Sequence, residues 1–415
     1  MPLRVETTRN GDRALMLLPY ASTENYAEPH EKQPIPLMTF ALLFVTVIVA
    51  IVFELAGRGV GSQTQGQLVN TFGLIPNAVT PFALFTYPFL HAGMGHLLLN
   101  MFYLFVFGSG IEAEVGQVKL LAFYLLGGAV GGAMQVIVTR YYLPTQSGIP
   151  IVGASAACST LIGLYANRYY RARLVFIGIP FKPQVVAVVL FILTNELLWG
   201  LYSLFVGNEL DGIAHWAHLG GFTFGLGGAF VLKLYRVGEL AYLRRDATVN
   251  MNYSEPGEAI KRWRTVLSRE PTNPIAPAEI AKAWLLLGDI EQAEPYVLHS
   301  IELSLRNGSR HAAALLFVEM REHGVRALPP PNELFLLGNT LEELEQYALA
   351  AETLRAVTIH NPDAPEAETA LLKVAQLYLN DLNRRQEAAI MLRLFQERYA
   401  HSPLCRLAEK MQRTL

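Results

Sequence analysis

Between Val185 and Val206 the chain reads VVAVVLFILTNELLWGLYSLFV, an apolar run whose one charged residue is Glu196. A bilayer core about 30 Å thick needs roughly 20 apolar residues per helix, and this stretch meets that length. Working outward, comparable segments occur at Leu37–Ala56, Gly93–Phe107, Leu120–Tyr141, Ile151–Ala166 and Gly212–Leu234. The second and fourth of the six in chain order are short and rich in Gly, Ala, Ser or Asn. Polar groups inside a bilayer need protein or water as partners, so those two belong inside the bundle. The sequence therefore predicts an all-α chain, with a six-helix polytopic membrane bundle over residues 37–234.

The chain has 415 residues, too many for one ordinary core. Its formal charge of −2 gives no basic footprint of the kind nucleic-acid binding requires. Cys158 and Cys405 fall in different halves and lack metal-ligand or disulfide spacing. The first 36 residues are a polar tail with Arg4, Arg9, Arg13 and Lys32, unlike the apolar core of a cleaved leader. That tail, the loop with Arg168, Arg171, Arg173 and Lys182, and the exit with Lys233, Arg236, Arg244 and Arg245 all fall on one side. The opposite loops offer only Arg58 and Arg140. Cationic loops stay in the cytoplasm, so both termini are expected there, in what is taken to be a bacterial cell membrane.

After about Leu234 charged residues appear in almost every turn. Beyond a connecting segment at 235–253, the region 254–415 repeats amphipathic helical patterns separated by turn residues. Ala281–Leu287 runs through Gly288-Asp289 to Ala293, and Leu371–Ala375 runs through Tyr378 to Ala388-Ala389. Pro271, Pro362 and Pro403 sit where helices have to stop or start, and Pro329-Pro330-Pro331 interrupts the middle. The pattern resembles tetratricopeptide repeats, soluble pairs of helices packed through small residues; a generic helical solenoid is the alternative. Such a surface implies a protein partner.

Three elements carry chemistry. Gly153-Ala154-Ser155-Ala156-Ala157 opens the fourth span, and Ser155, Ser159 and Gly163 share a helical face. Small-residue faces usually mean close packing of membrane helices, and a serine needs a base to become a nucleophile. His218, in Ala217-His218-Leu219-Gly220-Gly221-Phe222-Thr223-Phe224-Gly225, is such a base at bilayer depth, and Gly221 and Gly225 could let its helix approach Ser155. Without the serine span it reads equally well as a histidine hydrogen-bonded within the bundle. His91, His96 and Asn100 surround the start of the second span, with His96 and Asn100 on one face, suited to donate to an oxyanion. Zinc is the rival there, but His91 and His96 lack helix-ligand spacing and no His-Glu-x-x-His pattern is present.

Together these elements resemble the rhomboid family over nearly all of Leu37 to Leu234. The motifs are Thr86 to Asn100 (TYPFLHAGMGHLLLN), Gly153-Ala154-Ser155 and Ala217-His218-Leu219-Gly220-Gly221-Phe222, in the family's order. The resemblance implies an intramembrane serine endopeptidase that cuts transmembrane segments of membrane proteins and needs no cofactor or metal. Ser155 is then the nucleophile, His218 the general base and later acid, and His96, Asn100 and the Ser155 amide the oxyanion hole. Glu112, after Gly108 and Gly110, matches a loop carboxylate of structural role. Many relatives have glycine after the nucleophile and an aromatic residue four positions on, commonly a tyrosine stacked on the catalytic histidine. Here Ala156 and Ser159 stand instead. Glu54, near a span end, is expected to reach water; Asn195 and Glu196 have no catalytic counterpart and are read as gating or bracing the fifth helix. The alternatives are a catalytically inactive rhomboid-like scaffold and a channel or transporter.

Overall fold

A computed structural model describes residues 35–59, 62–174, 182–209, 211–252 and 255–415. The cationic N-terminal tail, with Arg4, Arg9, Arg13 and Lys32, and the side chain of Arg58 lie outside the described residues. Among those described, the secondary structure is helical, with two isolated bridges, Leu74 to Ile151 and Arg173 to Gln184. The chain divides into two compact units, Met1–Ala241 and Tyr242–Leu415.

The first unit contains α1 (Leu37–Gly59), α2 (Ser62–Phe72), α3 (Ala83–Thr86), α4 (Met94–Tyr103), α5 (Ser109–Val115), α6 (Gln117–Tyr142), α7 (Ser155–Arg168), α8 (Val185–Val206), α9 (His215–Val231) and the start of α10 (Leu234–Asn252). Among the described residues four helical runs are long and apolar enough to cross a membrane: Leu37–Ala56, Met94–Val115, Gln117–Tyr142 and Val185–Val206. A fifth is reached if α9 and α10, bent by 67° at Leu232-Lys233, count as one broken span. The reading of six spans is thus corrected at two places. The second extends past Phe107 to Val115, because a π-helical turn at Leu104–Gly108 carries α4 into α5 without a break. The fourth begins at Ser155, since Ile151 is held in the bridge to Leu74, and its 14 residues rise only about 21 Å. Most of α7 is buried by its neighbours, so it need not match the bilayer thickness.

Glycines bring α6, α7 and α9 together. A Cβ on Gly221 would lie 2.1 Å from the Ala156 carbonyl oxygen, one on Gly225 2.0 Å from that of Thr160, and one on Gly163 2.5 Å from that of Phe222. The Thr160 hydroxyl crosses the same seam to the Gly221 carbonyl at 2.9 Å. The α7 face in contact is therefore Ala156–Thr160–Gly163, rotated one residue from the expected Ser155–Ser159–Gly163, and the rotation turns Ser155 and Ser159 outward to a cavity.

Glu112 lies on α5, not in a loop, and is buried. Its carboxylate accepts from the Met38 amide at 2.9 Å and from the Thr39 amide and hydroxyl at 2.7 Å each. It caps the open donors at the start of α1, which accounts for the structural role implied by the resemblance. Arg168, counted among the loop cations, ends α7 in a buried pair with Glu114 at 2.8 Å.

The second unit contains the rest of α10 and α11 (Pro256–Arg269), α12 (Ile275–Leu286), α13 (Ile290–Arg306), α14 (Arg310–Glu322), α15 (Pro331–Glu343), α16 (Tyr347–His360), α17 (Ala367–Asn380), α18 (Arg385–Arg398) and α19 (Cys405–Gln412). Consecutive helices pack against one another through small residues, with Ala281, Ala293, Ala313, Ala350, Ala370 and Ala388 fully buried. Gly288 turns at φ +77° and the Asp289 side chain caps α13 through the Gln292 amide at 3.0 Å. Pro329-Pro330-Pro331 opens a helix, because Pro331 occupies the first turn of α15 where no amide hydrogen is needed. The segment read as a connection, 235–253, is helical in its described residues.

Candidate active site

Ser155 is the first residue of α7, so its amide is among the donors that have no carbonyl partner within the helix. The chain reaches it through Gly153 at φ +121°, where a Cβ would also fall 2.5 Å from His96 Cε1. Glycine is needed there twice over, for the backbone angle and for the close approach of the histidine ring. A cavity of about 560 Å³ opens in front of this turn, lined by Ser155, Ser159, His96, Asn100, Glu196 and His218 among others.

His218 Nε2 lies 2.8 Å from Ser155 Oγ. The Gly221 and Gly225 contacts described above are what allow that distance, since they seat α9 against the α7 backbone one turn and two turns past His218. On the other flank, the position a Gly153 Cβ would take is 2.7 Å from His96 Nε2 and 3.6 Å from Asn100 Nδ2. Asn100 is 2% exposed, and its Nδ2 makes no hydrogen bond among the described residues although the side chain lines the cavity. A buried amide without an acceptor is costly, so a donor left open toward a cavity points to an acceptor supplied from outside. Ser155, His218, His96 and Asn100, singled out from the sequence, thus meet around one turn. His91 stands behind them, its ring edge-on to His96 at 5.2 Å.

Two residues at this cavity had no catalytic role in the sequence reading, Glu196, read as gating or bracing the fifth helix, and Gln135. The Glu196 carboxylate on α8 lies 2.9 Å from His218 Nδ1 in an ion-pair contact and, through the same oxygen, hydrogen-bonds His215 Nδ1 at 2.7 Å. Asp211 takes the other nitrogen of His215 at 3.0 Å. Gln135 on α6 accepts from the Ala217 amide at 3.1 Å and donates to the Glu209 carboxylate at 2.5 Å. Burial holds the Glu209 carboxyl above the usual carboxylate range, with the Gln135 bond opposing the shift. Glu196 was open to detection as the lone charge in a span, the kind of residue that is functional by default. Gln135 carried no such signal. Asn195 spends its amide on the Phe191 carbonyl of its own helix at 2.8 Å, and Glu54 is exposed.

Among the described residues one cluster has metal-ligand geometry, Glu196, His215 and His218, with ligand atoms within 4.8 Å of one another. Those atoms already pair with one another, by the His215–Glu196 hydrogen bond and the His218–Glu196 contact. His91 and His96, the pair weighed for zinc, are not in it.

Residues 79–235 match the rhomboid domain family, and residues 369–402, which cover α17 and α18, match the tetratricopeptide repeat. RHOMBOID-like protein 1 of Arabidopsis thaliana is 31% identical over 152 residues, 36% of this chain and 34% of that protein. Rhomboid protease GluP of Bacillus subtilis is 24% identical over 204 residues, 48% of this chain and 36% of its own length. Inactive RHOMBOID-like protein 8 of Arabidopsis thaliana is 28% identical over 137 residues, 33% of this chain and 34% of its own. The chain thus spans about a third of the length of the curated relatives it matches. The apolar helices from α4 to α9 and the seam of glycines thus lie in the region that matches the rhomboid domain, and the second unit is built of paired helices of which one pair matches the tetratricopeptide repeat.

Proposed function

We propose that the chain is an intramembrane serine endopeptidase that cuts transmembrane segments of membrane proteins. The observation that carries the reading is the 2.8 Å contact between His218 Nε2 and Ser155 Oγ, both lining one cavity inside an apolar bundle. A peptide bond in lipid is hydrolysed only if a nucleophile and water are brought to it, and the cavity offers room for both. His218 takes the Ser155 proton as Oγ attacks the substrate carbonyl. The oxyanion then accepts from the Ser155 amide, His96 and Asn100, the last of which has an unused donor. His218 passes its proton to the departing amine, and water admitted through the cavity releases the acyl group by the reverse sequence. On the orientation drawn from the Lys and Arg asymmetry, both termini are cytoplasmic and the site opens toward the opposite face, of a bacterial cell membrane as the sequence reading has it.

A second reading, an inactive scaffold that binds spans without cutting, is favoured by the likeness to a relative named inactive. The intact Ser155–His218 contact favours the protease. Covalent labelling by a fluorophosphonate and cleavage of a reporter span, measured on purified protein in detergent, separate the two. Ser155→Ala and His218→Ala are each expected to remove both signals while the protein stays folded, because residues that act as one unit lose nearly everything singly. A wild-type protein that neither labels nor cuts would leave the scaffold.

A further inference from the structure

Glu196 takes no part in the reaction as proposed, yet its carboxylate touches His218 at the ring nitrogen opposite the serine. An ionised carboxylate only accepts hydrogen bonds, so its oxygen 2.9 Å from Nδ1 favours a proton on that nitrogen. That leaves Nε2 as the acceptor facing Ser155 Oγ, the tautomer a general base needs. We infer that Glu196 is a positioning residue of this reaction, its carboxylate fixing His218 so that Ser155, His218 and Glu196 act as a triad. The inference rests on the protease reading above.

Three further observations bear on it. Ser159 stands where the family resemblance implies an aromatic ring stacked on the histidine, so that means of orienting His218 is missing, and the His215 ring lies edge-on to it at 6.4 Å. The carboxylate is itself held. His215, buried, faces carboxylate oxygens with both ring nitrogens, Glu196 at 2.7 Å and Asp211 at 3.0 Å, and with both acids ionised it must carry two protons and a positive charge. That charge offsets the cost of placing Glu196 in a span, and it ties the carboxylate to the segment before α9. One turn further along α8, Gly200 leaves room for the Trp216 ring, whose Cε2 would come within 3.2 Å of a Cβ there, which sets how closely α8 lies on α9. When His218 takes the serine proton, the imidazolium gains a carboxylate partner already in place.

The test compares wild type, Ser155→Ala, Glu196→Gln and Glu196→Asp as purified full-length protein in detergent, reading kcat and KM for a reporter span, the rate of fluorophosphonate labelling and the Tm. Glu196→Gln keeps shape and is expected to lose about 10²-fold or more in kcat and in labelling rate, with KM and Tm little changed; loss of the acid in soluble triads costs about 10⁴. Glu196→Asp, which keeps the charge but draws it back, should recover part of the rate. Glu196→Gln working at the wild-type rate while Ser155→Ala is silent would overturn the inference, as would a rise in KM with kcat unchanged. Should Glu196→Gln fail to fold, a wild-type rate in a folded Glu196→Ala would be equally damaging. Wild-type cleavage lost to a chelator and restored by zinc would make the cluster a metal site and overturn the triad. If wild type and Ser155→Ala are both silent, it is the protease reading that has failed, and the inference falls with it.

Discussion

In the membrane unit Gly163, Gly221 and Gly225 each face a backbone carbonyl across a pair of helices, whereas in the repeat unit Gly338 faces the branched end of Leu354. Each glycine inside a helix gives up roughly 1 kcal/mol of helical propensity relative to alanine, so some contact must recover it. In lipid there is no hydrophobic force drawing helices together, and backbone approach through small residues takes its place. In water, burial of Ala and Leu side chains does that work, and the repeat unit is built of Ala281, Ala313, Leu337, Ala350 and Leu371, all buried. The difference teaches where each unit is brittle. A carbonyl on a neighbouring helix cannot move aside, but a leucine can change rotamer.

The comparison breaks if the two kinds of glycine prove equally tolerant. Gly221→Ala would set a methyl 2.1 Å from the Ala156 oxygen, pushing α9 off α7 and opening the contact between His218 and Ser155. Loss of both reporter cleavage and phosphonate labelling is expected, the largest effect foreseen outside Ser155 and His218 themselves. Gly338→Ala meets Leu354 Cγ at 2.5 Å and should cost only about 1–3 kcal/mol, seen as a lowered melting transition of the repeat unit, with reporter cleavage unchanged. Equal loss of cleavage in the two variants would show that the seam is no more rigid than the repeats.

Within the membrane unit the same contrast separates groups that hold the seam from groups that face the cavity. Asn100→Ala removes a donor with no partner of its own, so stability should hold. Its expected cost is about 10²–10³ in kcat, with His96→Ala in the same range and both milder than Ser155→Ala. Wild-type rates in both variants would remove them from the oxyanion site.

What could be read in the sequence follows the same division. Hydropathy marked the apolar helices, and Gly153-Ala154-Ser155 with Ala217–Phe222 marked the cavity, because these signals are local. The face of α7 was misread by one residue: small residues run along two of its sides, and only the partner helix decides between Ser159 and Thr160. The bond from Thr39 to Glu112 and the contact of Glu196 with His218 join separate helices, and neither pair shares a motif. The start of α7 at Ser155 depended on the bridge from Ile151 to Leu74, again a contact across distant chain. In the repeat region Pro271, Pro362 and Pro403 marked helix ends correctly, since proline acts on its own turn.

The smallest effect on a generic substrate is expected from removing the repeats altogether, and that sharpens the comparison by asking whether the second unit serves the first. Paired-helix repeats commonly present a surface that binds peptides or proteins. On the proposed orientation the repeats are cytoplasmic, so they would act on a substrate's tail or on a partner and not on the scissile bond. Tethering a substrate tail raises its local concentration without any new contact at the site. A chain ended after Asn252 keeps α10 whole and should therefore cut a reporter span that has no tail at the full-length rate, when compared at equal amounts in the membrane. Cleavage of the native substrate should fall about tenfold or more, through kcat/KM at low substrate concentration. Equal processing of both substrates by the shortened and full chains would end the recruitment idea. Loss of both, with the membrane unit still folded by its melting transition, would assign the repeats a supporting role in the bundle, and the two units could no longer be treated as separate in function.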